Sequence, residues 1–396
     1  MVGKIAGGGV LLATLVVLYF VFRGDTEKVS AESKYDGVHL CSPSQREAEA
    51  LRSAASPAPT PTLVATPTPA ADASQPATNT GGPSASAESP GRTLVGGGAN
   101  VSLFFQNNPT WGAQEYDHGR QQDVGCGTTI AECGCAMTSV TNVLSLFQVL
   151  TTPDGTALNP SSLNNWFNKG AQLTNAGWVA QGFVSGSVVW GAVNSFKSSA
   201  TSEGGAAINV RFSGWGSGSE AEIRSELSQG RPVVLEVPGH YIAAVGLQGN
   251  DILINDPFYP NRTTLASYAG RVKSSRKYAP SNDLRAMMLT VPGGTRIQVT
   301  DSQGRIVGTV SPGNPVTVAE AAKKEIPGAT YHFEEQWRDP TCTERPPNEG
   351  AGVNTIFLPF PESGRYQVRA VNHEGNETAV GVGVGVDPGA TTMPDS

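Results

Sequence analysis

Three side chains in this sequence have the chemistry of a nucleophilic catalyst. Cys135 follows Gly134 at the predicted start of a helix, where free backbone N–H groups and the helix dipole favour a thiolate. His240 follows Gly239 at the start of a predicted strand, which is a rigid place for a general base. Asp256 lies one hairpin strand further on, where its carboxylate could orient the imidazole. Each residue alone also fits a structural role, as a small buried cysteine, a histidine at a strand start or an acid in a turn.

A fourth side chain, Gln106, could stabilise the negative charge that develops on a substrate carbonyl oxygen. Its amide could donate a hydrogen bond to that oxyanion beside the backbone N–H of Cys135. Hydrogen bonding at the protein surface is the alternative role of Gln106.

Helices followed by antiparallel strands are predicted around these residues. Apolar side chains at i, i+3, i+4 and i+7 from Val140 predict a helix that begins at Cys135. The other predicted elements are helices near 161–168 and 219–229 and strands over 232–237, 241–247 and 251–255. This order is typical of an α+β domain.

The chain beyond residue 285 predicts a β-sandwich. Seven short runs of strand-forming residues alternate there with turn signals, and no helical pattern intervenes. The predicted strands cover 287–291, 296–300, 306–310, 331–337, 353–358, 366–372 and 379–384. The predicted fold class is therefore α+β, with the candidate residues in a domain over 100–285 and a β-sandwich domain with a short tail over 286–396.

Five short motifs occur in order between residues 101 and 283. They are Phe105-Gln-Asn-Asn-Pro-Thr-Trp-Gly112, Gly134-Cys-Ala-Met-Thr-Ser-Val140, Gln229-Gly-Arg-Pro-Val-Val234, Gly239-His-Tyr-Ile242 and Ile254-Asn-Asp-Pro257. In this order the motifs resemble the bacterial C39-like branch of the papain-like cysteine peptidases.

That resemblance implies a role for each candidate side chain in a papain-like fold. Cys135 would be the nucleophile, His240 the base, Asp256 the orienting acid and Gln106 the oxyanion donor. Because papain-like sites use either an amide or an acid as the third member, Asn255 is the alternative to Asp256. The family resemblance selects the acid.

Two features separate the chain from the transporter-linked branch of that family. Gln106 lies 29 positions before Cys135, whereas in that branch the gap is only a few residues; secreted relatives have such an insert. Nothing in the chain resembles a Walker nucleotide-binding motif, and one predicted membrane span cannot form a transporter. A transporter-linked peptidase is therefore not predicted.

The insert between Gln106 and the nucleophile carries two further cysteines. Cys126 and Cys133 have six residues between them, a spacing that suits a local disulfide bracing the turn before Cys135 in an oxidising compartment. The alternative is that Cys133 is a resolving or inhibitory thiol toward Cys135. Cys41 and Cys342 have no partner that the sequence identifies.

The N-terminal hundred residues predict a membrane anchor followed by a stalk. An uncharged apolar run of 18 residues extends from Ile5 to Phe22 and is just long enough to span a membrane. We predict an uncleaved anchor over 1–23, because bulky residues stand where a signal peptide has its cleavage site; a cleaved signal peptide is the alternative. The polar and Pro/Thr/Ser-rich segment 24–99 predicts a disordered stalk. The stalk and the cysteines favour folded domains outside the cytoplasm, on a single-pass membrane protein.

Composition argues against nucleic-acid binding and against a structural zinc site. The net charge is −7 and no Lys/Arg run occurs, so the chain lacks the electrostatic footprint of a nucleic-acid-binding protein. The five cysteines form no Cys-x-x-Cys pair, which is evidence against a structural zinc site, and no cofactor is expected.

The sequence therefore predicts a membrane-anchored, outward-facing cysteine peptidase that acts on a peptide or protein substrate, with cell-wall peptide among the open choices. The alternative function is a surface adhesion or cell-wall-binding protein, in which the papain-like unit is inert and the sandwich makes the contacts. Four tryptophans are candidates for the cleft wall, with core packing as their alternative role: Trp111, Trp178, Trp190 and Trp215.

Overall fold

A computed structural model describes most of the chain between residues 103 and 371, together with three short segments outside that stretch. The described residues are 16–19, 93–94, 103–117, 127–174, 177–201, 207–281, 283, 285–311, 319–335, 352–362, 365–371 and 381–385.

The described helices are short, and one of them is central to the fold. In chain order they are α1 Ile130–Cys133, α2 Cys135–Leu146, α3 Pro160–Phe167 and α4 Glu220–Ser228. Beyond its first residue, α2 is buried almost all round, so it is a core helix rather than a surface one. In α3 the side chain of Asn159 caps the N-terminus and Pro160 occupies the first helical position, where its missing N–H costs nothing.

An antiparallel sheet packs against α2. Its strand order is β11-β10-β9-β12-β8-β7, with β2 also paired to β10. The bounds are β2 Thr93–Leu94, β7 Lys197–Thr201, β8 Ala207–Gly216, β9 Val233–Val237, β10 His240–Gln248, β11 Asp251–Asn255 and β12 Ser274–Ser281. A small four-stranded meander lies beside it, with β3 Gln172–Thr174, β4 Gly177–Val179, β5 Phe183–Val184 and β6 Ser187–Val188.

The central sheet is buried on both faces. Alternate residues of β10 enter two different apolar clusters: Ala243 and Val245 pack with α2, whereas Ile242 and Ala244 pack with α4. This two-sided burial explains the uninterrupted apolar runs of the central strands.

The C-terminal region forms two further antiparallel sheets that share one apolar core. One sheet has the order β1-β20-β13-β18-β17 and the other the order β16-β15-β14-β19. The bounds are β1 Val16–Tyr19, β13 Ala286–Pro292, β14 Arg296–Thr300, β15 Ile306–Gly308, β16 Lys323–Lys324, β17 Thr330–Glu335, β18 Gly352–Leu358, β19 Gln367–Val371 and β20 Gly381–Gly385. We call these two sheets the β-sandwich.

Strand alternation joins the sandwich to the central domain. In β13, Leu289 and Val291 face the sandwich core, whereas Met288 faces the core around α2. In β18, Ile356 and Phe357 divide between the two cores in the same way. The two units therefore share an apolar interface.

The predicted α+β class is confirmed, and the predicted helices and strands lie within a few residues of the described ones wherever the structure describes them. Two long strands, β8 and β12, were not predicted. Strand β12 is rich in Ser, Arg and Lys, so its sequence lacks the apolar alternation that identifies a strand.

The structure describes short parts of the predicted N-terminal anchor and stalk, and both parts are strands rather than a membrane helix and a disordered segment. Of the predicted membrane helix, only β1 is described; it is a strand paired with β20, as its β-branched residues favour. Of the predicted stalk, only β2 is described, and it extends the central sheet. The remaining residues of both segments lie outside the described ranges, and no described helix is long and apolar enough to cross a membrane.

Candidate active site

Cys135 is the first residue of α2, separated from α1 by a single glycine. Gly134 ends α1 and begins α2, and a Cβ there would lie 2.5 Å from the carbonyl oxygen of Ile130, so only glycine fits. The thiol is free and partly exposed at a helix N-terminus, where the N–H groups of the first turn have no intrahelical acceptor.

His240 is the first residue of β10 and follows a two-residue hairpin turn. Pro238 and Gly239 form the turn between Val237 and His240, which are paired across the hairpin. Gly239 has a φ of 70°, a conformation that suits glycine in a type II turn after proline. The sheet thus holds the His240 backbone rigidly while 13% of its side chain stays exposed.

Asp256 follows the last residue of β11 and accepts the hydrogen bond of His240. The distance from His240 Nε2 to Asp256 Oδ1 is 2.8 Å. The same oxygen accepts the backbone N–H groups of Phe258 and Tyr259, each at 2.9 Å, and Oδ2 accepts the hydroxyl of Tyr268. The Asp256 side chain is fully buried, with both oxygens satisfied.

The thiol of Cys135 faces the same imidazole. It lies near enough to the His240 ring to affect the pKa of that ring. Because Nε2 faces Asp256, the nitrogen that remains for the sulfur is Nδ1. Thiol, imidazole and carboxylate are therefore connected in the order that a thiol nucleophile, its base and an orienting acid require.

The neighbouring groups of the site change the pKa values of His240 and Asp256. Burial acts to lower the pKa of His240, but the hydrogen bonds with Asp256 and Cys135 and their charges outweigh it and raise that pKa to about 9. Burial acts to raise the pKa of Asp256, but its bonds to His240, Tyr268 and the backbone prevail and lower it. The imidazolium and the carboxylate are thus the favoured forms near neutral pH.

Gln106 is buried and is hydrogen-bonded both to α1 and to the segment that follows Asp256. Its Nε2 donates to the carbonyl oxygen of Ala131 at 2.7 Å, and its backbone N–H donates to the carbonyl oxygen of Pro257, also at 2.7 Å. One N–H of the side-chain amide is thus committed to α1, and the second remains for another acceptor. Gln106 is held on the same side of the molecule as Ala131, four residues before Cys135.

Asn255 binds a different partner from Asp256. Its Nδ2 donates to the carbonyl oxygen of Phe104 at 3.2 Å, whereas Asp256 meets the imidazole. Asn142 of α2 clamps the same backbone group, accepting from Phe104 N at 2.6 Å and donating to Phe104 O at 3.1 Å. Asn142 and Asn255 therefore fix the segment that carries Gln106.

Two residues of this arrangement were not anticipated from the sequence. Tyr268 lies in a 3-10 turn, Leu265–Tyr268, whose sequence carries no helical periodicity. Asn142 is polar and fully buried in α2, on the side of the helix away from Val140 and Val143, so the apolar periodicity that predicts the helix does not identify it.

The structure describes only one of the two cysteines that shortly precede Cys135. Cys133 is disulfide-bonded, so it is not a free thiol able to resolve or inhibit Cys135. Cys126, its predicted partner, lies outside the described residues, as do Cys41 and Cys342.

The tryptophans predicted for a cleft wall have mainly structural places. Trp190 is buried, and Trp215 packs against the core and stacks on His332 at 4.5 Å. Trp111 is partly buried and donates its Nε1–H to Phe105 O. The side chain of Trp178 lies outside the description. Within the described ranges, no three His, Cys, Asp or Glu side chains gather to hold a metal ion.

Comparison with known proteins identifies one family. Residues 99–286 match the model of the Peptidase_C39 like family, and this segment contains Gln106, Cys135, His240 and Asp256. Comparisons with curated proteins and with solved structures gave no significant match. This match supports the assignment of residues 99–286 to the C39-like peptidase family.

Proposed function

We propose that the protein is a cysteine peptidase that hydrolyses peptide bonds by a Cys-His-Asp mechanism. Cys135 is the nucleophile, His240 the general base and acid, Asp256 the orienting acid and Gln106 an oxyanion donor. The observation that carries the proposal is the hydrogen bond between the His240 ring and the buried Asp256, with the Cys135 thiol near enough to the same ring to raise its pKa. The match of residues 99–286 to the model of the C39-like peptidase family supports it independently.

In the first half of the reaction the Cys135 thiolate attacks the carbonyl carbon of the peptide bond. The electron pair of that carbonyl moves to its oxygen, where the backbone N–H of Cys135 and the second N–H of Gln106 Nε2 stabilise the charge. When the C–N bond breaks, the imidazolium of His240 gives its Nδ1 proton to the leaving amine. The product is a thioester between Cys135 and the acyl part of the substrate.

In the second half water resolves the thioester. Neutral His240 takes a proton from the water, whose oxygen attacks the thioester carbonyl. Collapse of this second tetrahedral intermediate releases the carboxylic acid and returns the thiolate, and the imidazolium is again paired with it. Asp256 keeps its charge throughout and stabilises the imidazolium at both stages.

We further propose that the folded domains lie outside the cytoplasm on a single-pass anchor. The apolar run from Ile5 to Phe22 supports the anchor, and the disulfide bond of Cys133 is typical of an oxidising compartment. A strand at Val16–Tyr19 and a membrane helix over the same residues exclude each other. The anchored form therefore requires the N-terminus to leave the sandwich sheet.

The anchored form makes a prediction about the mature chain. In membranes of the source cells, mass spectrometry is expected to find the protein with its N-terminus before Ile5, in the fraction that detergent releases. A mature N-terminus beyond Arg23, or a full-length chain that is soluble without detergent, would overturn the membrane assignment.

Alkylation tests the peptidase proposal directly. Treatment of the full-length protein with iodoacetamide is expected to place an adduct on Cys135 and to stop hydrolysis of a peptide library and of purified cell-wall peptide, because the resulting thioether can no longer supply the thiolate that attacks the carbonyl carbon. Peptide mapping locates the adduct. Continued hydrolysis by protein that is fully alkylated at Cys135 would contradict the proposal.

The same two reactions should respond differently to pH. Hydrolysis is expected to decline as the pH rises through about 9, because His240 then loses the proton that the leaving amine needs, whereas alkylation of Cys135 should persist. Because the folded-state pKa of His240 exceeds its ordinary value of 6.5, its protonation stabilises the fold fully below pH 6.5, and that contribution is lost as the pH rises through about 9. Hydrolysis that stays constant through this range at a chemistry-limited step would contradict the thiolate–imidazolium pair.

A further inference from the structure

A carboxylate of the β-sandwich is buried against side chains of the central domain. Glu334, on β17, accepts hydrogen bonds from Tyr241 OH at 2.6 Å and from Trp190 Nε1 at 2.8 Å. It also pairs with Arg276 NH2 at 3.1 Å. Tyr241, Trp190 and Arg276 belong to the central domain. We call these three side chains, together with Glu334, the Glu334 cluster.

The charges of the Glu334 cluster are paired within a nearly dry site. The Arg276 side chain is fully buried, lies 2.9 Å from Glu236 as well, and donates to Ser274 Oγ at 2.7 Å. Burial acts to raise the pKa of Glu334, but Arg276 prevails and that pKa is lowered, so the group is a carboxylate. Removal of one partner from such a buried pair leaves the other charge without compensation, which is strongly unfavourable.

The Glu334 cluster is directly connected to the strand that carries His240. Tyr241 is the next residue of β10, and its ring lies 5.5 Å from that of Trp190 and 4.8 Å from the Arg276 guanidinium. Tyr241 directly follows the base, His240, in the chain. When Glu334 of the sandwich holds the Tyr241 hydroxyl, it therefore also restricts the position of the first residues of β10.

Apolar contacts hold the sandwich in the same position. Met288 Sδ accepts the backbone N–H of Gly191 at 3.3 Å, and a Cβ on Gly191 would lie 3.1 Å from that sulfur. His332, two residues before Glu334 on β17, stacks on Trp215 at 4.5 Å with an angle of 18° between the rings. This stacking fixes the strand that carries Glu334.

We propose that the β-sandwich takes part in peptidase function through Glu334, a positioning residue that holds Tyr241 and thereby the start of the strand bearing His240. The sandwich is then a structural component of the active site and not an independent appendage. This inference rests on the proposed peptidase function and adds the requirement that the two domains be docked.

The test compares four full-length variants with the wild-type protein. Glu334→Gln keeps the size of the side chain and removes its charge, Tyr241→Phe removes only the hydroxyl, and the double variant removes both. Glu362→Gln is the matched control, because Glu362 is an exposed carboxylate of the same sandwich that pairs with Arg305. Each protein is measured for kcat, KM, thermal midpoint and the rate of Cys135 alkylation, which reports the pairing of the sulfur with the His240 ring.

Glu334→Gln and Tyr241→Phe are each expected to lower kcat and the alkylation rate by about tenfold to a hundredfold, with KM nearly unchanged, since small misplacements of a base have effects of that size. The double variant should lose little more than the more severe single variant, because the two residues act in series. Glu362→Gln should behave as wild type.

Two results would overturn the inference. The first is a pair of folded single variants whose kcat and alkylation rate match those of Glu362→Gln, which would leave Glu334 a docking residue only. The second is fully additive losses in the double variant. If Glu334→Gln does not fold, Tyr241→Phe alone decides, because it removes one oxygen and leaves the ion pair intact. Failure of the proposed function would instead appear in the wild-type protein as an absence of hydrolysis, while the alkylation rates would still report the position of His240.

Discussion

Cys135→Ala is expected to lower kcat for peptide hydrolysis by at least about 10⁴-fold, since a nucleophile that acts as a unit with its base leaves only binding and oxyanion stabilisation when it is removed. The fold should survive. Cys135 is only partly buried at the first position of α2, and most of the remaining side chains of that helix lie in the core. Turnover of a fluorogenic peptide and the thermal midpoint are the two measurements.

The control for this variant is the titration of His240. The thiol is one of the groups that raise the pKa of His240, so in Cys135→Ala that pKa should fall below about 9 while Asp256 continues to support it. NMR of the imidazole would show the change. A folded Cys135→Ala protein that hydrolyses peptide at the wild-type rate would remove Cys135 from the mechanism.

The elements that carry the candidate residues could be predicted because their signals are local. Helix α2 is predicted by apolar periodicity within twelve residues, and β10 and β11 by β-branched runs that a short turn separates. Gly134 and Gly239 mark the two places where the backbone needs glycine. These patterns need no knowledge of the rest of the fold.

The interactions that join distant segments could not be predicted in this way. Strand β12 can bury Arg276 because that side chain pairs with Glu334, a residue 58 positions further along the chain in another domain. The Tyr268 hydroxyl reaches Asp256 only because the 3-10 turn folds back over the end of β11. The apolar N-terminal run suits a membrane helix or a strand, since apolar content without alternation does not separate the two.

The second large effect is expected at the acid. Asp256→Asn should lower kcat by about 10- to 100-fold, because the imidazolium of His240 loses the charge that stabilises it. The loss should be smaller than the roughly 10⁴-fold that follows when a histidine takes the wrong tautomer. Two backbone N–H groups, from Phe258 and Tyr259, require an acceptor at the Oδ1 position, so the asparagine oxygen would stay there and still accept from Nε2.

The fold should tolerate Asp256→Asn for the same reason. The new Nδ2 would replace Oδ2 beside the Tyr268 hydroxyl, which can accept a hydrogen bond as well as donate one. The thermal midpoint should therefore change little, while the pH at which hydrolysis declines should move down with the pKa of His240. If the thermal midpoint fell but the pH at which hydrolysis declines did not change, Asp256 would have a structural role only.

Asn255→Ala is the matched comparison, because it alters the neighbouring residue without touching the imidazole. Its amide supports Phe104 O, which keeps a second donor from Asn142 at 3.1 Å, so turnover should fall by less than about threefold and stability by about 1 kcal/mol. The difference between the two variants thus separates the orientation of the base from the support of the Gln106 segment. If Asn255→Ala lowered kcat more than Asp256→Asn, with unchanged thermal midpoints in both, the orienting role would pass to Asn255, and Cys135 and His240 would keep theirs.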